Sequence, residues 1–200
     1  MTKRLFVMTA MALAITAPTF AQAPAGAPGP ARPVVANPNY ATILMEVDVK
    51  RPAAEVWKRI GKYCDIGEWA QIPCTITSGK DGEVGAVRSV ATEILVGKTE
   101  LSYTYTQPVM EGRVYNLYHG TLEARPVTPA TSKLVYTLVF DNSMLADDAA
   151  RTADIERRRT QFTRLLGNMV TLAEGGTLPP PARRGGGPAA PAGAPAGRGN

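Results

Sequence analysis

The chain has 200 residues, 44% of them hydrophobic and 20% charged, enough for one core-bearing domain and too few for two of ordinary size. Its net charge of +5 points at first to an acidic partner. Lys3, Arg4, Arg32, Arg183, Arg184 and Arg198 lie in the terminal stretches, however, so residues 39–177 hold 16 of the 22 basic residues against all 17 acidic ones, a formal charge of −1 that excludes a basic face fit to track nucleic-acid phosphates.

Residues 1–23 open with Lys3 and Arg4, run apolar from 5 to 17, break at Pro18 and end in Ala21-Gln22-Ala23. That is the layout of a cleaved secretory signal. Its apolar run of about 13 residues falls short of the roughly 20 that span a hydrocarbon core, so a soluble periplasmic or secreted product is expected, with no stable membrane insertion after cleavage. Residues 24–39 form a Pro/Ala-rich linker and residues 178–200 a Pro/Gly/Ala-rich tail. Both read as disordered, because they lack an apolar period and cannot offset the entropy of ordering. The folding unit is residues 40–177.

Within it, Ile43, Met45, Val47 and Val49 alternate with Leu44, Glu46, Asp48 and Lys50, a period of two with one exception that predicts a half-buried strand. Pro52 then opens a short helix carrying Val56, Trp57 and Ile60 and ending at Gly61; residues 64–70 suit a second short helix with Trp69 on its buried side. Residues 75–77 form a weak strand and residues 84–95 two further strand pieces. Tyr103 and Tyr105 alternate with Ser102, Thr104 and Thr106. Val114, Asn116, Tyr118, Gly120, Leu122 and Ala124 make a second inward row, and Leu134, Tyr136, Leu138 and Phe140 a third. Three long antiparallel strands follow, with turns near residues 108–112 and 126–129. Residues 147–174 predict a closing helix: Phe162, Leu165, Leu166, Met169 and Leu172 make its apolar stripe, Asp147, Asp148 and Asp154 sit towards its positive end, and Gly175-Gly176 stops it. Gly167, inside this helix, suggests a close neighbour there.

The layout is α+β: a curved antiparallel sheet with two short helices after its first strand and one long C-terminal helix over its concave face. A single helix need not fill such a bowl, so a cavity is expected, lined by Tyr103, Tyr105, Asn116, Tyr118, Tyr136 and Phe140 from strands. The helix adds Phe162, Leu166 and Met169, and Trp69 serves as a lid. The alternative is that these aromatics pack on one another as solid core.

Chemistry is sparse in the motifs. Cys64 and Cys74 are the two cysteines, and in an oxidising compartment they either form a disulfide or are buried as small hydrophobes. With His119 as the one histidine, a zinc site is not expected, nor is any cofactor. Alternation puts His119 on the convex face as a solvated side chain, and Arg88 and Glu93 read as a structural cross-strand pair. No nucleophile elbow, phosphate loop or dinucleotide fingerprint occurs, so no catalytic residue is assigned.

Residues 53–61 (Ala-Ala-Glu-Val-Trp-Lys-Arg-Ile-Gly), Trp69, the run Gly85-Ala86-Val87-Arg88, residues 101–105 (Leu-Ser-Tyr-Thr-Tyr) and the stretch from Tyr136 to Asp141 before the long helix together resemble the SRPBCC superfamily. This is the START and Bet v 1-like helix-grip group, which includes polyketide cyclases and dehydratases and lipid-transport proteins. The resemblance implies a seven-stranded sheet gripping the C-terminal helix around a cavity for hydrophobic molecules. The stretch between Arg88 and Glu93 is shorter than the usual hairpin of the group. Three functions remain open: a monomeric carrier or sensor of a small hydrophobic ligand, a cyclase- or dehydratase-like enzyme working through pocket tyrosines, and a cell-envelope interaction module using its Pro-rich tail.

Overall fold

The computed structural model describes Val35 and residues 37–109 and 115–181. The signal reading, Val114, the turn near 110–112 and the tail beyond Pro181 lie outside these residues.

Strand β1 (Tyr40–Val49) buries Ala41, Ile43, Met45 and Val49 on one face, as its alternation predicts. Pro52, fixed in φ and lacking an N–H, then initiates helix α1 (Ala53–Ile60), which buries Ala53, Val56 and Ile60. Gly61 stops it under Trp57, whose ring a β-carbon at that position would strike. One turn of helix α2 (Ile66–Trp69) follows, burying Ile66 and Trp69 and bracketed by a Cys64–Cys74 disulfide with Cα atoms 5.6 Å apart.

The remaining strands are β2 (Ile76–Ser78), β3 (Val87–Arg88), β4 (Glu93–Lys98), β5 (Ser102–Thr106), β6 (Tyr118–Thr128) and β7 (Thr131–Asp141). All seven form one antiparallel sheet in the order β1-β7-β6-β5-β4-β3-β2. Strand β6 runs on through Pro126, where a sequence reading starts the turn, and its register slips just where the missing proline N–H interrupts the ladder. Registers align inward rows across the sheet: Met45, Tyr136, Leu122 and Tyr103 in one, Ile43, Leu138, Gly120, Tyr105 and Leu95 in the next.

Helix α3 (Asp148–Ala173) starts where the Asp147 carboxylate accepts the Ala150 N–H at 2.7 Å. At about 1.5 Å per residue its 26 residues reach about 39 Å across the concave face. Its C-terminal half closes the core with Leu166, Met169 and Leu172, and Glu174 beyond it accepts the Lys50 N–H at 2.8 Å, docking the rod on the β1–α1 corner. Gly167 has open space around it, so the close neighbour that a mid-helix glycine suggests is not there. Past the helix the chain turns back: Leu178 packs on the core and the Pro179 carbonyl accepts the Gln71 amide at 2.6 Å. The first residues of the segment read as disordered tail are thus seated on the body. Among the described residues no helix is long and apolar enough to cross a membrane.

Candidate functional site

A cavity of about 800 Å³ lies between residues 157–165 of α3 and strands β5, β6 and β7. Its inner wall is phenolic. Tyr105, Tyr118 and Tyr136 face it from three adjacent strands, and Phe162 meets the Tyr136 ring edge-on at a centroid distance of 4.8 Å. Tyr105 reaches inward because Gly120 lies opposite it in the ladder; a β-carbon there would collide with the Tyr105 ring. The Tyr105 and Tyr136 hydroxyls hydrogen-bond at 3.0 Å. Burial raises all three phenols, Tyr118 to about 12 against the opposing charge of Arg158, so they remain neutral donors in physiological conditions.

One flank of the cavity is a buried polar chain. Arg88 and Glu93 are 0% and 3% exposed, and Arg88 Nε donates to Glu93 Oε2 at 2.6 Å. Arg88 Nη1 donates to the Tyr63 carbonyl at 2.6 Å, and the guanidinium lies 4.4 Å from the Tyr63 ring centroid and 4.9 Å from that of Tyr105. Glu93 Oε1 accepts the Gln107 amide at 2.8 Å, and the Gln107 carbonyl accepts the Tyr115 hydroxyl. Glu93, Gln107 and Tyr115 all line the cavity. Burial pushes the Glu93 carboxyl above its ordinary value, against the pull of Arg88 and the two hydrogen bonds.

The outer wall comes from α3 and is cationic. Arg157, Arg158 and Arg164 line it together with Gln161. Arg158 is buried over the rings of Phe140 and Tyr118, at 4.5 and 5.2 Å, and donates to Asp154 Oδ2 at 2.7 Å; Arg157 also pairs with Asp154. Burial favours the protonated Asp154 carboxyl, but its hydrogen bonds to Arg158 and Arg157 prevail and hold it below the usual carboxylate range. The rim opposite α3 is formed by α2 and by the turn between Arg88 and Glu93. Gln71 and Ala91 in that rim, with Thr92 beside them, are the non-glycine residues in the left-handed backbone region among the described residues, at φ 55°, 49° and 54°. Such conformations persist where surrounding structure imposes them, and for Ala91 and Thr92 the short 88–93 connection does so.

Of the ten residues expected to line the pocket, Trp69, Tyr105, Tyr118, Tyr136 and Phe162 do, and five lie elsewhere. Tyr103 shares the inward face, but Trp57 and Tyr63 occupy the space above it, with ring centroids at 5.6 and 5.5 Å. Phe140 is covered by Arg158 and stacked on Tyr118 at 6.0 Å. Leu166 and Met169 are core, outside the cavity lining. Asn116 precedes β6, and its amide donates to Asp141 Oδ2 at 3.1 Å, a carboxylate that also accepts the Asn39 and Ser143 N–H groups. His119 lies on the other face of β6 from Tyr118 and Gly120, half-buried, with burial lowering its pKa. The Arg88–Glu93 cross-strand pair is where the sequence placed it; its burial, its extension to Gln107 and Tyr115, and the α3 arginines escaped sequence reading. An Asp154-to-Arg158 spacing of four on a helix was the available signal, and it reads equally as an exposed surface pair. Among the described residues no three of His, Cys, Asp or Glu gather as a metal site.

No family model and no curated protein matches the chain. Solved structures do. A protein of Nitrosospira multiformis is 25% identical, matching 66% of this chain and 94% of its own with a TM-score of 0.53. One from Thermobifida fusca is 23% identical, over 68% and 97%, with a TM-score of 0.55. Truncated norcoclaurine synthase from Thalictrum flavum is 11% identical, over 70% and 96%, with a TM-score of 0.50. The chain has the Bet v 1-like helix-grip fold of the SRPBCC group.

Proposed function

We propose that the protein binds a small molecule with an apolar or aromatic body between α3 and the sheet, as an exported carrier or sensor. The observation that carries this reading is the space itself: about 800 Å³, within the range of small-molecule sites, walled by Tyr105, Tyr118, Tyr136 and Phe162. Phenols offer ring surface and a neutral donor at once, and three together recognise a flat molecule carrying an acceptor. Export is supported by the signal-like N-terminus and by the Cys64–Cys74 bridge, which suits an oxidising compartment. Native mass spectrometry of protein purified from its own host, with thermal-shift measurement against aromatic and lipid panels, tests it. Copurified ligand or stabilisation by a panel member is expected. An empty cavity with no shift from any compound overturns the reading.

A second reading is favoured by one observation. Glu93 is a buried wall carboxylate with its pKa raised, on the strand next to that of Tyr105, whose hydroxyl bonds that of Tyr136, an arrangement suited to moving protons in a cyclase- or dehydratase-like reaction. It requires turnover of a polyketide-like substrate that Tyr105→Phe slows, and unchanged turnover in that variant removes it.

A further inference from the structure

The wall of the cavity is sorted by chemistry along its depth. Tyr105, Tyr118 and Tyr136 are buried, whereas Gln161 and Arg164 are exposed and the Arg157 side chain is 60% exposed. Positions 157, 161 and 164 recur at four and three residues, so Arg157, Gln161 and Arg164 present one polar stripe on one face of α3.

The charges on this stripe are not balanced. Asp154 accepts from both Arg157 and Arg158, and Glu93, the other acid near the cavity, is held by Arg88. Arg164 has no ion pair or hydrogen bond among the described residues. Three arginines against one aspartate leave two positive charges in excess on the α3 side. The opposite rim supplies none to offset them: Ala70, Gln71, Ile72, Val90 and Ala91 are all neutral. A purely apolar guest would gain nothing from this placement, whereas a guest with an acid group at one end would match it end for end. Guanidinium groups are the side chains best shaped for such a group, through paired N–H donors.

Resting on the ligand-binding reading above, we infer that the ligand is an aromatic acid: a ring-bearing body against the tyrosines and Phe162, and a carboxylate or sulfonate held at the mouth by Arg157 and Arg164. Gln161 donates between them. Arg158, locked over Phe140 and Tyr118, contributes field to the anion but stays with Asp154.

Two fluorescent dyes test the inference, because they share one body and differ in one charge: N-phenyl-1-naphthylamine is neutral, and 8-anilinonaphthalene-1-sulfonate carries a sulfonate on the same scaffold. The full chain is titrated with each, and each is used to displace the other. Both are expected to bind competitively. Arg157→Gln/Arg164→Gln should weaken the sulfonate at least 10-fold and leave the neutral dye within 2-fold, and raising salt from 50 to 500 mM should weaken only the sulfonate on the wild-type protein. If the neutral dye binds but the sulfonate responds neither to salt nor to the arginines, the acid inference is overturned and the cavity reading stands. If the neutral dye does not bind, the cavity reading fails and this inference with it. The salt arm needs no variant, so a misfolded double mutant cannot shelter the idea.

Discussion

Removing Arg88 alone should do more harm than removing Arg88 and Glu93 together. The two groups are 2.5 Å apart and shut away from solvent. At that separation an effective dielectric near 20 gives a direct attraction of roughly 7 kcal/mol, offset in part by the cost of desolvating both ions. Cutting one partner of such a pair strands the other charge, and about 3–5 kcal/mol is the usual loss. Arg88→Met is therefore expected to consume a large share of a domain's 5–15 kcal/mol at neutral pH. The loss should depend on pH. Glu93 already titrates above its ordinary value in the folded chain, so the native state holds that proton more tightly than the unfolded state, and stability falls as pH rises from the ordinary carboxylate range through the folded value. Without Arg88 the native carboxyl rises further and the deficit grows across that window. Urea unfolding at pH 7.5 and pH 5 measures it: the gap between wild type and Arg88→Met should narrow on acidification, and Arg88→Met/Glu93→Leu should recover most of the loss at pH 7.5. An equal deficit at both pH values, with no recovery in the double variant, refutes the account of a stranded charge.

Replacing Cys64 and Cys74 by alanine should cost about 3 kcal/mol, the loop-closure value for a separation of 10 residues, read by calorimetry; a dithiol reductant should destabilise the wild type similarly and leave the variant unmoved. Gly120→Ala pushes the Tyr105 ring out of its seat, so overpacking of about 1–3 kcal/mol and a clear loss of neutral-dye affinity are expected together. Asp147→Ala removes the α3 cap and should cost about 1 kcal/mol in urea unfolding, with Asp147→Asn retaining most of it.

The strands were legible because alternation is a local signal: the row of Leu134, Tyr136, Leu138 and Phe140 lies inward and fully buried, and the Phe162 stripe of α3 faces it. Which aromatics line the cavity was not legible, because it depends on packing between residues distant in sequence. Glu174 meets Lys50 across 124 positions, a contact that no local pattern announces. Tyr103 and Tyr105 are two positions apart on one strand face, yet Trp57 and Tyr63 cover the first and the cavity reaches the second. Arg158 was hidden for another reason. A guanidinium four residues after an aspartate is ordinary on an exposed helix, and only the facing rings of Tyr118 and Phe140 make it an interior group.

The division of α3 between buried positions and the exposed stripe of Arg157, Gln161 and Arg164 gives one rod two fates under mutation. Truncating Leu166, Met169 or Leu172 opens a hole in the interior and is felt by the whole domain. At Arg157, Gln161 and Arg164, which line the mouth and are exposed, the same change alters chiefly what the mouth admits, whereas Arg158 and Phe162 between them are buried against the sheet. A lineage carrying this architecture can thus trade one guest for another by editing three exposed positions of one helix, without renegotiating the stability of the sheet beneath.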